Sequence, residues 1–463
     1  MRERWNTVVA VLEYILFLTF FFLINRYQLI ASSMNFDEIL SWELAFSSWR
    51  DLFVGVTHDT QQLLFYGILK LYAYIIPQNN DYWIRFPALI FGGATACLVF
   101  YYSRSRFSRL TVAASALFIL SHPLLSIIST FCRPYSLLVF LMTVILYTAR
   151  KIFFERTAKW TDEWIFIASA AALGFVHYLA LPFLAALVMS LRIFGINIFK
   201  LFHSWQRTGL IILSQLTLAG FLVYQWQYRT NVLWIFEGED EFLRSWISAT
   251  GAVFILALVW IAPYLWMNKL KPRYEGFLLS VLLLLTVFFL VMNVAVFRYL
   301  SILIPATLLL FPFAIEKVIQ FRSVVLFFLI AIFLSGPFRF SQTAALLPPT
   351  AADFPGVKKF LKSAKETGLL SPRSRVLCIT YIVPSVAVLN YYSKMHWDQD
   401  ICDFYAETAS GIDINSFDQI LVIKGVLKGS ASDVSGWETL PQERLTLRHS
   451  EPVVELYEIR EAN

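Results

Sequence analysis

The chain has 463 residues, of which 58% are hydrophobic and only 15% charged. Soluble domains are about 45–50% apolar and about 25% charged, so this composition excludes a soluble protein on a single anchor and indicates several membrane spans. The net charge of +6 is distributed as short basic loops between apolar runs rather than as one patch, which speaks for control of membrane topology and against nucleic-acid binding.

The first apolar run, "VLEYILFLTFFFLINRYQLI", exceeds the roughly 7–15 residues of a signal-peptide core, so it reads as a retained span over Val8–Ile30. It leads directly into "SSMNFDEILSWE", which sets Asp37 and Glu38 side by side at the mouth of that span. One reading is local: acids favour the positive end of a helix. The other is functional, because charge at a membrane surface is costly to desolvate and is kept for a purpose. Residues 38–52 and 61–77 then read as two amphipathic helices in the outer interface, each with Trp or Tyr and with charges at Glu43, Arg50, Asp51 and Lys70.

Further apolar runs follow at Tyr82–Tyr102, Leu110–Ile128, Tyr135–Ala149, Trp164–Tyr178, Leu181–Ile196, Gly209–Tyr228, Trp246–Met267, Gly276–Val296, Tyr299–Ile315 and Val324–Phe338. Together with the first they predict about eleven transmembrane helices. If the spans alternate, the basic segments 104–109, 150–159, 200–207, 268–273 and 316–322 share one side with the N-terminus, the cytoplasm by the positive-inside rule. The other side receives Asp37 and Glu38, the loop 229–244 and everything after Phe338.

Beyond Gln342 the composition changes. "LLPPTAADFPG" is a Pro-rich linker, "FPGVKKFLKSAKETG" a polar-faced helix closed by Gly368, and 375–380, 419–426 and 453–459 are short β-like runs. The expected organisation is an all-α polytopic membrane domain over 1–340 and a small extracytoplasmic α/β domain over 341–463. Cys378 and Cys402 either pair, if that domain faces an oxidising compartment, or are two separate small residues. The four cysteines show no metal-ligand spacing, and no metal is expected.

Charges on the outer side without a surface reason are functional candidates: Asp37, Glu38, His58, Asp59, Arg85, Arg133, His177 and Arg298. Each has a plainer reading. Arg133, before Pro134, can anchor a helix end, Arg85 can be an interfacial anchor, and His177 a satisfied helix-end histidine. Arg298 resists this, since "VMNVAVFRYLSILIPATLLL" places one arginine in an otherwise uncharged run and demands an anionic partner. Guanidinium matches phosphate geometry, and a phosphate at that depth belongs to a lipid.

The ordered set of motifs resembles the glycosyltransferase C superfamily, in particular its bacterial polyprenyl-phosphate-sugar-dependent members related to protein O-mannosyltransferases and to the lipid A aminoarabinose transferase. The set comprises Asp37–Glu38 after the first span, the aromatic helix "QQLLFYGILK", "RFPALIFG" opening the second span, "SHPLLSIISTFCRPYSLL", His177–Tyr178 at a span end, and Arg298, Tyr299 and Pro305 late in the chain. It departs from the family pattern at "HDTQQ" (58–62), which lacks a Pro-Pro, and at "STFCR", which lacks a glutamate.

The resemblance implies an inverting membrane glycosyltransferase that moves a sugar from a polyprenyl monophosphate to an acceptor hydroxyl. Asp37 would be the general base, with Glu38 second because neighbouring helical residues point about 100° apart. Arg85, Arg133, His177, Arg298 and Tyr299 would contact donor phosphate or sugar, and His58 and Asp59 the acceptor side. It implies no cofactor beyond the lipid-linked sugar, no nucleic-acid partner, a glycolipid, polysaccharide or protein acceptor, and a place in the plasma (inner) membrane. The alternatives are a transporter or flippase of lipid-linked sugars and a glycan polymerase or ligase with a diphosphate leaving group. The enzyme reading expects these dispersed residues to converge on one pocket.

Overall fold

The protein is described from a computed structural model of the whole chain. The structure describes residues 2–31, 36–58, 63–76, 81–198, 205–226, 273–292, 297–320, 355–367, 369–370, 375–380, 402–406, 416–423, 440–450 and 454–459. The expected spans Trp246–Met267 and Val324–Phe338, the loop 229–244 and Asp59 lie outside them.

The chain divides into two compact units. The first comprises Met1–Gln28, Leu44–Pro77 and Tyr82–Ser341; the second comprises Leu29–Glu43, Gln78–Asp81 and Gln342–Asn463. The segment that carries Asp37 and Glu38 therefore groups with the second unit.

Fourteen α-helices occur among the described residues. They are α1 (Arg2–Ala31), α2 (Phe36–Phe46), α3 (Trp49–His58), α4 (Leu63–Ala73), α5 (Asp81–Arg104), α6 (Arg109–Ser121) and α7 (Pro123–Ser129). There follow α8 (Tyr135–Ala149), α9 (Trp160–Gly174), α10 (Ala180–Ile193), α11 (Trp205–Trp226), α12 (Tyr274–Met292), α13 (Ile304–Gln320) and α14 (Pro355–Thr367). Five described helical segments are long and apolar enough to cross a membrane, six if the bent pair α6–α7 counts as one. The protein is a multi-pass membrane protein.

Three sequence expectations change. The first interfacial helix is two helices, because Ser48 breaks it: its Oγ accepts from Asp51 N at 3.1 Å and donates to the Asp51 carboxylate at 2.6 Å, capping α3. The expected straight span Leu110–Ile128 bends by 52° between α6 and α7. There His122 Nδ1 accepts from Leu125 N at 3.2 Å, and Pro123 occupies the first turn of α7, where its missing N–H costs nothing. The expected span Tyr299–Ile315 opens as a 3₁₀ turn, Phe297–Leu303, before it becomes α13.

The membrane bundle is built around α8, which is buried on nearly every side, as expected of a helix that is apolar all round. Its start meets the end of α9 through Tyr135 and His177, with ring centroids 5.3 Å apart, and its far end meets the start of α9 through Lys151 Nζ and Asp162 at 2.7 Å. The two helices are thus antiparallel. α5 packs on α1 through Phe17 and Phe100, stacked at 4.5 Å, and through Arg104 and Glu13 at 2.5 Å. α5 also approaches α7 so closely that a Cβ on Gly92 would lie 2.6 Å from Ser129 Cβ and 3.4 Å from Ser129 Cα, so a side chain there would not fit. Charges gather at one end of the bundle: Glu316 accepts from Ser108 Oγ at 2.9 Å, and Arg106 pairs with Glu155.

The second unit holds a five-stranded sheet of order β2-β1-β3-β5-β4. Its strands are β1 (Val376–Thr380), β2 (Cys402–Ala406), β3 (Gln419–Ile423), β4 (Leu445–Ser450) and β5 (Val454–Ile459). β1 is parallel to β2 and β3, while β5 is antiparallel to β3 and β4. Sequence reading found β1, β3 and β5 but not β2, "CDFYA", or β4, "LTLRHS", which alternate too weakly to stand out. Leu377, Ile420, Val422 and Leu440 form the core on the sheet. α14 buries Phe360, Leu361 and Ala364, the spacing of one helical face. Cys378, on β1 beside β2, is disulfide-bonded.

Candidate functional site

At the end of the bundle where α8 begins, four separate stretches of chain are fastened together. Leu64 N, in the first turn of α4, donates to Phe175 O, after α9, at 2.8 Å. Cys132 Sγ donates to Ile84 O at 3.3 Å and ties the turn before α8 to the start of α5. That turn is tight, with Arg133 N donating to Phe131 O at 2.7 Å. Arg85 and Arg133 thus follow directly on the two residues that touch, and both are buried, 1% and 3% exposed.

A buried cation needs hydrogen bonds to offset its lost hydration. Arg133 Nη1 donates to Tyr66 Oη, two residues along α4 from Leu64. Tyr66 is fully buried. A phenol is a neutral acceptor, so this contact orients the guanidinium without neutralising its charge.

His177 is also fully buried. Its Nδ1 accepts from Leu179 N at 3.1 Å, which assigns the proton of the neutral ring to Nε2. Three tyrosines surround it. Ring centroids lie 5.3 Å away at Tyr135, 4.3 Å at Tyr178 and 5.9 Å at Tyr299. Tyr135 and Tyr299 are themselves 6.3 Å apart. An aromatic cluster with a ring N–H and phenolic hydroxyls offers apolar faces and polar edges together, the kind of surface on which a sugar or a lipid phosphate can be held.

Of the residues singled out from sequence, the structure brings together Arg133, His177 and Tyr299, with Arg85 beside the Ile84–Cys132 contact. Arg298 occupies the 3₁₀ turn one residue before Tyr299, and its side chain lies outside the described residues. His58 ends α3, and its side chain and the whole of Asp59 lie outside them too. Asp37 and Glu38 stand in the first turn of α2, half-buried and buried respectively, with Ser41 Oγ donating to Asp37 O at 2.9 Å. Among the described residues no group of three His, Cys, Asp or Glu side chains is placed to hold a metal ion.

Two buried polar side chains escaped sequence reading. Tyr66 looked like one more aromatic of an interfacial helix, although its polar end is what sets it apart from Phe65. Lys70 looked like a solvent-facing charge, yet it is 4% exposed. Its Nζ donates to Ala45 O at 3.4 Å and to Ser47 O, and it lies 5.3 Å from the Trp49 ring centroid. A cation there meets the carbonyls left over at the C-terminal end of α2.

No family model and no curated protein matches the chain in sequence. Solved structures do match in fold. The crystal structure of ArnT from Cupriavidus metallidurans in the apo state superposes with a TM-score of 0.61 at 12% identity, over 97% of this chain and 98% of that one. The structure of the same protein bound to undecaprenyl phosphate gives a TM-score of 0.61 at 12% identity, over 96% and 97%. Over essentially its whole length, then, the chain has the fold of ArnT, the glycosyltransferase C fold that its motifs resemble.

Proposed function

We propose that the protein is a membrane glycosyltransferase that uses a polyprenyl-monophosphate sugar as donor and transfers the sugar, with inversion, to an acceptor hydroxyl. The observation that carries this reading is the full-length likeness to ArnT, one of whose structures holds undecaprenyl phosphate, combined with a buried, oriented Arg133 beside the His177 cluster.

In this reading the acceptor oxygen bonds to the anomeric carbon while its proton passes to the Asp37 carboxylate. The carbon–oxygen bond to phosphate breaks, and its electron pair leaves on the polyprenyl phosphate. Lipid phosphate is a good leaving group, so the chain needs no strong general acid. It needs a base aligned with the hydroxyl, worth roughly 10²–10⁴-fold, and cations fixed where charge accumulates. Arg133 and Arg298 fill that second role, with Arg85 in support. His177 Nε2–H and the hydroxyls of Tyr135 and Tyr299 donate to phosphate or sugar oxygens. Glu38 is the second carboxylate, and His58 and Asp59 belong to the acceptor side. No metal or cofactor takes part.

The orientation proposed is N-terminus in the cytoplasm and second unit outside, in the plasma membrane. It is supported by the gathering of Arg104, Arg106, Arg109, Arg150 and Lys151 at the bundle end away from Arg133.

The test uses purified protein with polyprenyl-monophosphate sugars, each offered beside its diphosphate counterpart. Monophosphate donors are expected to react, and Asp37→Asn to cut the rate by roughly 10²–10⁴-fold while the protein stays folded in the membrane. Full activity in Asp37→Asn sinks the assignment of the base. Reaction with diphosphate donors alone moves the protein to the polymerase or ligase class.

A further inference from the structure

A second polar cluster lies at the other end of α8, roughly 21 Å from Tyr135 along the helix axis, and the proposed reaction does not use it. There α8 continues as one π-helical turn, Arg150–Glu155, closed by Arg156 in the left-handed conformation at φ 55°. Such turns recur at functional sites. Arg150, the first residue of this one, is 4% exposed. Its guanidinium lies against two rings that meet edge to face, 4.7 Å from the Tyr102 centroid and 4.7 Å from that of Tyr147. Tyr274 closes the cage from α12, its Oη donating to Leu146 O at 3.0 Å.

Three polar atoms in this cage have no hydrogen-bond partner among the described residues: Arg150 Nε, Arg150 Nη1 and Tyr102 Oη. Glu155 Oε1 is 3.5 Å from Arg150 Nε, out of hydrogen-bond geometry, and is taken up by Arg106. A buried donor left unmet keeps the full cost of its lost hydration. Nε–H and the Nη1 hydrogens lie in the guanidinium plane on different edges, so a single acceptor atom does not serve both. The cage is short of acceptor oxygens and of one negative charge, because Glu155 is the one carboxylate paired with both Arg106 and Arg150 among the described residues.

The cage also borders the lipid-facing surface. Tyr101, 49% exposed, stands 6.3 Å from Tyr147. Lys151, 5.2 Å from the Tyr147 ring centroid, and Arg104 and Arg106, which follow Tyr102 in the chain, have partly exposed side chains. Basic pockets between transmembrane helices are where phosphate headgroups bind.

We propose that Arg150, Tyr102 and Tyr147 form a binding site for a phosphodiester oxyanion, one charge spread over several oxygens, of the kind an anionic phospholipid headgroup presents. Free phosphate shares the chemistry but brings a second charge that the cage does not call for.

The experiment is native mass spectrometry and thermal shift on the purified, delipidated full chain, with phosphatidylglycerol and inorganic phosphate as separate probes. Wild type is expected to hold one phosphatidylglycerol and to melt higher with it. Arg150→Gln should weaken that binding at least tenfold, and Tyr102→Phe less. Arg109→Gln removes the same charge from an exposed residue of the same end and should bind as wild type. Should Arg150→Gln fail to fold, Arg150→Lys keeps a cation against the rings but supplies no second edge of donors, and should bind as weakly. An Arg150-dependent response to inorganic phosphate alone supports the site with a free anion as occupant. Equal phosphatidylglycerol binding by wild type and Arg150→Lys, or no Arg150-dependent response to either probe, overturns the proposal and leaves the cage to water.

Discussion

Tyr66 and Arg133 show how much one hydroxyl can matter. The sequence marks Arg133 by its position before Pro134, and the structure supplies the reason that it holds one orientation, an acceptor from α4. A hydrogen bond to a charged group is worth about 1.5–3 kcal/mol, and 1.4 kcal/mol is tenfold in affinity. Tyr66→Phe keeps the ring packing and removes only the acceptor. It is expected to weaken apparent affinity for a polyprenyl-phosphate donor by roughly tenfold or more, with a smaller effect on kcat, measured by steady-state kinetics. An unchanged KM detaches Arg133 from the donor. Arg133 and His177 stand out in the sequence because a charge or a ring nitrogen contrasts with an apolar run, whereas Tyr299 entered only through the family resemblance. Tyr66 does not stand out, because a phenol among aromatics carries no such contrast until its partner is known.

Among the elements, α9 illustrates a helix start secured by one carboxylate. Asp162 accepts from Lys159 N at 2.9 Å and from Lys151 Nζ at 2.7 Å, so it caps its own helix and fastens it to the turn after α8. Burial pushes its carboxyl up, but the hydrogen bonds from Lys151 and Lys159 outweigh that and hold it below the usual carboxylate range. The folded value lies below the unfolded one. The stabilisation is therefore complete above the ordinary carboxylate pKa and is lost as pH falls through the lowered folded value. Asp162→Asn is expected to melt below wild type at neutral pH, with the two curves converging in acid, as a thermal-shift series across pH would record. Helix positions were readable from apolar run length, while breaks were not. Ser48 and His122 each interrupt a run through a contact that the residue type alone does not announce.

At the scale of the whole molecule, the four cysteines report on how the two units differ. Cys97 and Cys132 are free in the membrane bundle, and Cys378 is disulfide-bonded in the sheet unit. Disulfides persist in oxidising compartments. Alkylation of unfolded, unreduced protein followed by peptide mass spectrometry is expected to modify Cys97 and Cys132, with Cys378 modified only after reduction. Modification of Cys378 without reduction, in protein taken directly from the membrane, would count against an extracytoplasmic second unit.

The sequence by itself determined that this is a multi-pass membrane protein with short β-like runs near its end, and which few charged residues lacked a surface reason. Those properties are local: span length follows from bilayer thickness, and an isolated charge is visible against its neighbours. Only the tertiary structure decided that α4, the turn before α8, the end of α9 and the 3₁₀ turn at Phe297–Leu303 meet at one end of the bundle, and that Arg150 enters an aromatic cage at the other. Those contacts join residues tens to hundreds of positions apart. They are set by which helix faces pack together, a choice that membrane helices make through close fit and interhelical hydrogen bonds rather than through the pattern of any one segment.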